Sequence, residues 1–299
     1  MRRLKHRVRL LPLLVSVFFL SAVSAETALP QLQAYEVPAD WRTPVKPLQI
    51  ADQTWQIGSK SLTALLVKTG NGAVLIDGGM PQMAEHLLSN MQALDVAPED
   101  LKWILHSHGH ADHAGPLAAI KNASAARIAS NAESSRLLAR GGAGDLHFDD
   151  GLLFPSVSVD RYLQDGEQIV LGEVTFTVHF IPGHTPGSMA WTWRDSLNGQ
   201  EIDIAYVDSL TAPGYQLIGN VRYPNIVADF HRSFDRISAL PCDLLLTPHP
   251  HASGWTYGDK ALRKKSVSCS KYTENAQRVL QEQLNKQEQQ IREINDNFD

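Results

Sequence analysis

The sequence predicts an α/β protein of four layers, in which two mixed β-sheets pack face to face and helices cover their outer sides. Segments of strand and helix character alternate along the chain, both halves carry such blocks, and no linker of biased composition separates the halves. A sheet must bury its apolar face and a helix its apolar stripe. Two packed sheets with helices outside bury the apolar surface of every element. With 299 residues and 43% hydrophobic content the chain can bury one large core, which favours one domain over residues 26–299.

The N-terminal half alternates strands with helices. The segments "TALLVKT" and "GAVLIDGG" are β-rich, and the "GN" between them is a hairpin turn signal. After Pro81 the segment "MAEHLLSNMQAL" has apolar residues at helical spacing. The predicted strands are 63–69, 72–79 and 101–107, and the predicted helices are 83–94, 116–122 and 131–140.

The C-terminal half begins with strands and ends with a polar helix. We predict strands over 168–172, 174–181, 189–195 and 201–207, a helix over 225–240 and a short buried strand over 243–248. The last helix is predicted to start at Ser270, a candidate N-cap, with an apolar face made of Tyr272, Ala276, Leu280 and Leu284. Residues 285–299 are rich in Gln and Glu, and we expect them to form a solvated helix tail.

The first 25 residues have the pattern of an export signal. Five basic residues occupy positions 1–9, the apolar segment "LLPLLVSVFFLSAV" follows, and small residues end at Ala25. The alternative is a membrane anchor, which needs about 20 apolar residues, and this run is shorter. We therefore predict cleavage after Ala25 and a mature periplasmic protein that is not attached to the membrane.

Residues 26–48 are predicted to form an N-terminal extension of the domain. Within "AYEVPADW", Tyr35 and Trp41 are apolar enough to fold back over a functional site. A disordered leader is the alternative.

Net charge limits the classes of partner that the protein can bind, and the cysteine content bears on its compartment. Loss of the five basic residues changes the formal net charge from −5 to −10, and such a surface disfavours nucleic acid or an anionic membrane as a partner. Cys242 and Cys269 are the only cysteines, which excludes a cysteine-rich zinc site. In an oxidising compartment the pair is expected to form a disulfide. Two buried thiols are the alternative.

The segment "LHSHGHADHAG" is the strongest functional signal. Its H-x-H-x-D-H pattern, made of His108, His110, Asp112 and His113, lies between the predicted strand ending near Leu105 and a helix beginning near Gly115. In extended chain His108 and His110 point the same way, and the turn that follows can present Asp112 and His113 to a neighbouring point. Imidazole nitrogen and carboxylate oxygen are ligands that zinc accepts. One loop can therefore contribute to two metal ions, and a solvated histidine-rich loop is the alternative.

Further metal ligands are expected from other loops, because a catalytic zinc takes three protein ligands. His184 in "IPGHTPGS" follows a predicted strand, and so does His249 in "LLLTPHPHASGW". We prefer His249 to His251 because it lies closer to the strand end. His106 is expected in the core or beside the ligands. Structural roles are expected for the others, namely His86, His147, His179 and His231.

Several of these segments resemble a known family. "HSHGHADHAG", "PGHTPGS", "LIDGG" and "PHP" are similar to the motifs of the metallo-β-lactamase fold. "DGGMPQM", "NAESSRLLARGG", "YVDSLTAPGYQLIGN" and "RSFDRISALPCDLLLTPHPHASGW" resemble its third subclass of true metallo-β-lactamases. The resemblance extends from about Tyr35 to Tyr272.

The resemblance implies two zinc ions per chain, without a cysteine ligand. One zinc is expected to be held by His108, His110 and His184. The other is expected to be held by Asp112, His113 and His249. Asp77 in "LIDGG" is expected to support the site without ligating, and Cys242 and Cys269 match positions of a disulfide.

The implied activity is hydrolysis of the β-lactam ring of penicillins, cephalosporins and carbapenems by a zinc-bound hydroxide, which confers antibiotic resistance. Asp112 is expected to orient the hydroxide, and Tyr215 to donate to the oxyanion that develops on the substrate. Ser209 and Thr211 are candidates to bind the substrate carboxylate. The expected partner is thus a small β-lactam molecule.

Two other functions stay open. Relatives of this fold that hydrolyse thioesters or lactones bridge their zinc ions with an aspartate in a "GDTL"-like segment, and Asp208 in "VDSL" lies close to that register. The chain is then a lactonase or thioesterase. A third possibility is a periplasmic zinc-binding protein without turnover, but every expected ligand position holds a residue type that binds zinc.

Overall fold

The computed structural model describes residues 37–258, 261–263 and 267–296, so the predicted export signal and Tyr35 lie outside the described residues. The helices are α1 (Ala39–Arg42), α2 (Ala84–Ala93), α3 (Ala111–Ala114), α4 (Leu117–Ser124), α5 (Ala132–Ala139), α6 (Ile226–Ser238) and α7 (Cys269–Asp296). The strands are β1 (Leu48–Gln49), β2 (Thr54–Gln56), β3 (Leu65–Thr69), β4 (Gly72–Ile76), β5 (Leu101–Leu105), β6 (Arg127–Ser130), β7 (Arg161–Tyr162), β8 (Gln168–Leu171), β9 (Val174–Phe180), β10 (Met189–Leu197), β11 (Gln200–Val207), β12 (Leu244–Leu246), β13 (Trp255–Thr256) and β14 (Leu262–Arg263).

Both large sheets are mixed, as predicted. In the first sheet the strands follow chain order from β1 to β7, antiparallel up to β4 and parallel from β4 onward. The hairpin predicted at "GN" pairs Thr69 with Gly72. The second sheet has the order β12-β11-β10-β9-β8, with β12 parallel to β11 and the other pairs antiparallel.

The core is divided among three interfaces, which define four layers. Alternation along β3 and β4 directs Leu65, Val67, Val74 and Ile76 toward the second sheet and Leu66 and Leu75 toward the helices. Leu66 and Leu75 pack against α2 and α4 on the outer side of the first sheet. On the far side of the second sheet, α6 and α7 cover Ala205, Val207 and Leu245. The predicted αββα sandwich is therefore confirmed.

The last helix differs slightly from its prediction. It begins at Cys269, and the hydroxyl of Ser268 accepts a hydrogen bond from the backbone of Lys271, so the predicted N-cap Ser270 lies inside the helix. The predicted apolar face is buried at Tyr272, Ala276 and Leu280 and partly buried at Leu284. Beyond it the tail is solvated except at Gln287, whose amide bonds the backbone of the 215–218 segment.

The Sγ atoms of Cys242 and Cys269 lie at bonding distance, 2.08 Å apart. The bond joins the chain after α6 to the start of α7. Among the described helices none has the length and apolar character needed to cross a membrane.

Candidate active site

The six predicted metal ligands meet at one edge of the sandwich. The loop that carries His108, His110, Asp112 and His113 follows β5, and the loops that carry His184 and His249 follow β9 and β12. Parallel pairing places the ends of β4, β5 and β6 on one side of the first sheet, and the face-to-face packing brings loops of the second sheet to the same place. His110 directly precedes α3, whose single turn carries Asp112 and His113.

One cluster contains His108, His110 and His184, which are all buried. One ring nitrogen of each lies within 4.8 Å of the others. Nε2 of His108 is 2.9 Å from Nδ1 of His110, and the ring of His184 meets that of His108 edge-on at 4.7 Å. These are the three residues expected at one metal.

A second cluster is centred on the carboxylate of Asp112. Its Oδ2 lies 3.1 Å from Nε2 of His113 and 3.4 Å from Nε2 of His249. His108 is also close enough to share a site with Asp112 and His113, so the two clusters adjoin. His251 is exposed, and its ring is 6.1 Å from that of His249. The structure thus brings His249 to Asp112 and leaves His251 outside.

In the first cluster the outer ring nitrogen of each histidine faces an oxygen of the protein. Nδ1 of His108 lies 2.8 Å from Asp208, and Nε2 of His110 lies 3.2 Å from Asp145. Nδ1 of His184 lies 2.7 Å from the carbonyl oxygen of Thr211. An acceptor on one ring nitrogen fixes the tautomer and leaves the other nitrogen free to bind a metal.

Asp77 supports the site from beneath. It accepts hydrogen bonds from the backbone and hydroxyl of Ser107 and from the hydroxyl of Tyr206, at 2.6–2.7 Å. Its Oδ2 is 3.7 Å from Nδ1 of His113. Asp77 is therefore beside the site, not among the clustered ligand atoms.

Burial and neighbouring charges set the protonation of the cluster. Burial, with the adjacent histidines, holds the pKa of His108 and of His184 well below the usual value, so both rings are neutral near pH 7. Burial by itself would raise the pKa of Asp112, but His113 and His249 outweigh it and hold that pKa well below its ordinary value. Burial also opposes the charged form of His113, but Asp112 raises its pKa to about 9. His108 and His184 thus offer neutral imidazoles and Asp112 an ionised carboxylate, which are donors that bind a divalent metal, whereas a metal held by His113 would have to displace the proton of that ring.

A cleft of about 270 Å³ opens onto these clusters. Its lining includes His110, Asp112, His184 and His249, together with Ser209 and Thr211. Trp41 also lines the cleft, and its ring lies 5.1 Å from that of His249. The described part of the N-terminal extension therefore packs beside the clusters.

Tyr215 was expected to donate to the substrate oxyanion, but it lies outside the lining of the cleft. The residue is 4% exposed. Its ring stacks on that of His147 with the ring centres 3.5 Å apart, and the ring centre of His184 is 5.7 Å away. Its hydroxyl is buried without a hydrogen-bond partner among the described residues. Donation to an oxyanion in the cleft therefore stays a prediction.

Some functional contacts carry no mark in the sequence. Asp145 lies in "GDLHFDDG", a turn that the sequence does not connect with the histidine loop 35 positions earlier. Phe148 of the same turn lines the cleft and contacts the ring of His110 at 5.3 Å. Two of the remaining histidines have structural partners: Nε2 of His106 contacts the Ser130 hydroxyl, and Nε2 of His86 contacts the Gly58 carbonyl.

The fold and the clustered ligand residues define a class, that of αββα proteins with a metal-binding site at the edge of two packed sheets. The chain belongs to the metallo-β-lactamase superfamily: its family model matches residues 61–197, and solved members more than 30% identical are covered almost completely.

Three solved structures illustrate the likeness. A metallo-β-lactamase from Cronobacter sakazakii is 34% identical, with 83% of this chain and 97% of that chain covered and a TM-score of 0.76. MIM-1 from Novosphingobium pentaromativorans is 32% identical, with coverage of 87% and 97% and a TM-score of 0.76. BJP-1, a subclass B3 metallo-β-lactamase of Bradyrhizobium japonicum, is 29% identical, with coverage of 84% and 98% and a TM-score of 0.76.

Two curated sequences that this chain resembles are hydrolases with other names. A hydroxyacylglutathione hydrolase of Anaeromyxobacter dehalogenans is 36% identical over 47% of this chain and 45% of its own length. An N-acyl homoserine lactonase of Azorhizobium caulinodans is 32% identical over 41% of this chain and 48% of its own length. The chain thus spans about half the length of the curated relatives it matches.

Proposed function

We propose that this chain is a zinc-dependent hydrolase that opens the β-lactam ring of penicillins, cephalosporins and carbapenems. The observation that carries the proposal is the position of Asp208, whose Oδ1 is 2.8 Å from the outer nitrogen of His108. A carboxylate in this position orients a histidine that binds metal. The bridging aspartate of thioesterases would instead bind the metals itself. The 98% coverage of BJP-1, a subclass B3 metallo-β-lactamase, supports the same substrate class.

The donor set fits two zinc ions. We assign His108, His110 and His184 to one ion and Asp112, His113 and His249 to the other, because their ligand atoms form two adjoining groups. Nε2 of His108 and Nδ1 of His110 face each other at 2.9 Å, so two unprotonated nitrogens at these positions repel unless a cation lies nearby. When bound, zinc supplies an activated water at neutral pH and polarises a carbonyl.

The chain's own residues then position the substrate. Asp112 can accept a hydrogen bond at Oδ2, the atom that faces both His113 and His249. The hydroxyls of Ser209 and Thr211, which line the cleft, can donate to the substrate carboxylate. Trp41 and Phe148 offer apolar surface to the substrate body and exclude water from the cleft.

A second function follows from the curated relatives. A hydroxyacylglutathione hydrolase and a lactonase each match a little under half of the chain, so thioester or lactone hydrolysis is the competing activity. That activity fits a protein in which Asp208 ligates the metals instead of supporting His108.

Steady-state turnover of the purified, zinc-loaded protein tests the proposal. We expect hydrolysis of a chromogenic cephalosporin, a penicillin and a carbapenem, abolished by a chelator and restored by zinc. A glutathione thioester and an acyl homoserine lactone serve as matched substrates. Preference for either of these over all three β-lactams would replace the proposal, and inert zinc-loaded protein would support a binding role without catalysis.

We also propose that the protein is exported to the periplasm with cleavage after Ala25. The support is the pattern of residues 1–25. N-terminal sequencing of material from a periplasmic fraction should find Glu26 first, and exported protein that still begins at Met1 would contradict the proposal.

A further inference from the structure

The carboxylate of Asp145 has a well-defined set of partners. Its Oδ2 is 3.2 Å from Nε2 of His110, and its Oδ1 accepts hydrogen bonds from the backbone N–H groups of His147 and Phe148 at 2.8 and 2.9 Å. The residue is 5% exposed. Both oxygens are thus committed, one to the turn and one to His110.

The turn that carries Asp145 is itself held in place. Asp145 and Asp149 exchange two backbone hydrogen bonds, at 3.0 and 3.1 Å. Arg222, from a separate loop, donates to the backbone oxygen of Asp145 at 2.8 Å and to the carboxylate of Asp149 at 2.6 Å. One guanidinium therefore clamps both ends of the turn, because its planar fork can donate in two directions.

We infer that Asp145 is a positioning residue for His110 and that Arg222 acts through Asp145. An N–H on Nε2 of His110 that donates to Asp145 leaves Nδ1 unprotonated, and Nδ1 is the nitrogen that faces His108 at 2.9 Å. Asp145 thereby selects the tautomer of His110 that can bind a metal through Nδ1. This inference rests on the proposed function, because it concerns the metal that His108, His110 and His184 would hold.

The substitution Asp145→Asn gives a sharp test. The amide oxygen can still accept the two backbone hydrogen bonds, so the turn keeps its contacts, but the amide nitrogen then faces Nε2 of His110 and can only donate. It favours the tautomer with the proton on Nδ1, which cannot ligate. The matched control is Asp195→Asn, because Asp195 is also a buried carboxylate that accepts backbone hydrogen bonds, from Gln53 and Ser196, away from the site.

Zinc affinity is measured by competition with a chromophoric chelator, and the absorption spectrum of the cobalt-substituted protein is recorded in parallel. We expect Asp145→Asn to weaken the binding of one of two ions by about 10-fold to 100-fold and to change the cobalt spectrum. Asp195→Asn should keep the affinity and the spectrum of the unsubstituted protein, even if it unfolds at a lower temperature. Unchanged zinc affinity in Asp145→Asn, or an equal loss in both variants, would overturn the inference.

Arg222→Ala provides an independent arm, since Arg222 is exposed and its removal leaves no cavity. Its control is Arg194→Ala, which removes another exposed arginine that contacts an aspartate, Asp203. We expect Arg222→Ala to weaken zinc binding less than Asp145→Asn does, and Arg194→Ala to leave it unchanged. If Asp145→Asn does not fold, the comparison of Arg222→Ala with Arg194→Ala tests the inference by itself. Unsubstituted protein that binds no zinc contradicts the proposed function, whereas two tightly bound ions in every variant contradict only the inference.

Discussion

Oδ1 of Asp208 lies 2.8 Å from Nδ1 of His108, and both side chains are buried. The other nitrogen of His108 faces His110, so Asp208 is on the side of the ring opposite to that contact. A carboxylate in this position orients the imidazole and increases its basicity as a ligand. A bridging aspartate would instead stand between the two clusters.

The variant Asp208→Ala distinguishes these roles. We expect it to reach two zinc ions per chain at saturating zinc, with affinity lowered by about 10-fold to 100-fold because His108 loses its orienting partner. Calorimetric or chelator titration gives both quantities. A stoichiometry that stays near one ion at saturation would support the bridging role and the thioesterase or lactonase activity.

The roles of His184 and His249 are tested by single substitutions to Ala. Each side chain belongs to a different cluster, so each variant should lower the bound zinc toward one ion per chain. Cephalosporin hydrolysis should fall by orders of magnitude, since the metal loses a ligand. Zinc per chain is measured by atomic absorption after dialysis.

His251→Ala is the control for these two variants, because His251 is a neighbouring exposed histidine outside both clusters. It should keep both ions and full activity. Loss of zinc in His251→Ala with retention in His249→Ala would reverse the assignment.

Trp41 is predicted to contribute to substrate affinity. Its ring lines the cleft beside His249, and the burial of a substrate against it is worth about 1.4 kcal/mol, or tenfold. Trp41→Ala should therefore raise KM for a cephalosporin by about tenfold, with kcat changed less. Tyr162→Ala, which removes an exposed aromatic side chain on β7, is the control. Equal KM values in the two variants would show that Trp41 does not contribute to substrate affinity.

The pair Cys242 and Cys269 is predicted to be oxidised in the exported protein. Replacing both by Ser should lower the free energy of unfolding by about 3 kcal/mol, by the loop-closure argument for a loop of this size. Denaturant titration measures the change, and unsubstituted protein under reductant should lose a similar amount. Two thiols that titrate freely in unfolded, unreduced protein would contradict the prediction.

Local pattern was sufficient for most elements and for the histidine loop. The spacing of apolar residues marks β3, β4, α2 and α6, because periods of 2 and 3.6 follow from backbone geometry alone. The H-x-H-x-D-H segment keeps its ligand residues within one turn of chain, so their proximity needs no tertiary information. His184 and His249 were also recognisable, because each lies within four residues of the end of a strand.

The sequence by itself thus determined the sandwich and the residues that meet at its edge, whereas the tertiary structure decided which oxygen each histidine faces. Asp208 contacts His108, and Asp145 contacts His110, only because packing of the two sheets brings separate loops together. The burial of Tyr215 outside the lining of the cleft and the approach of Trp41 to His249 have the same origin. A residue's neighbours along the chain do not specify such contacts, since they depend on how distant elements pack.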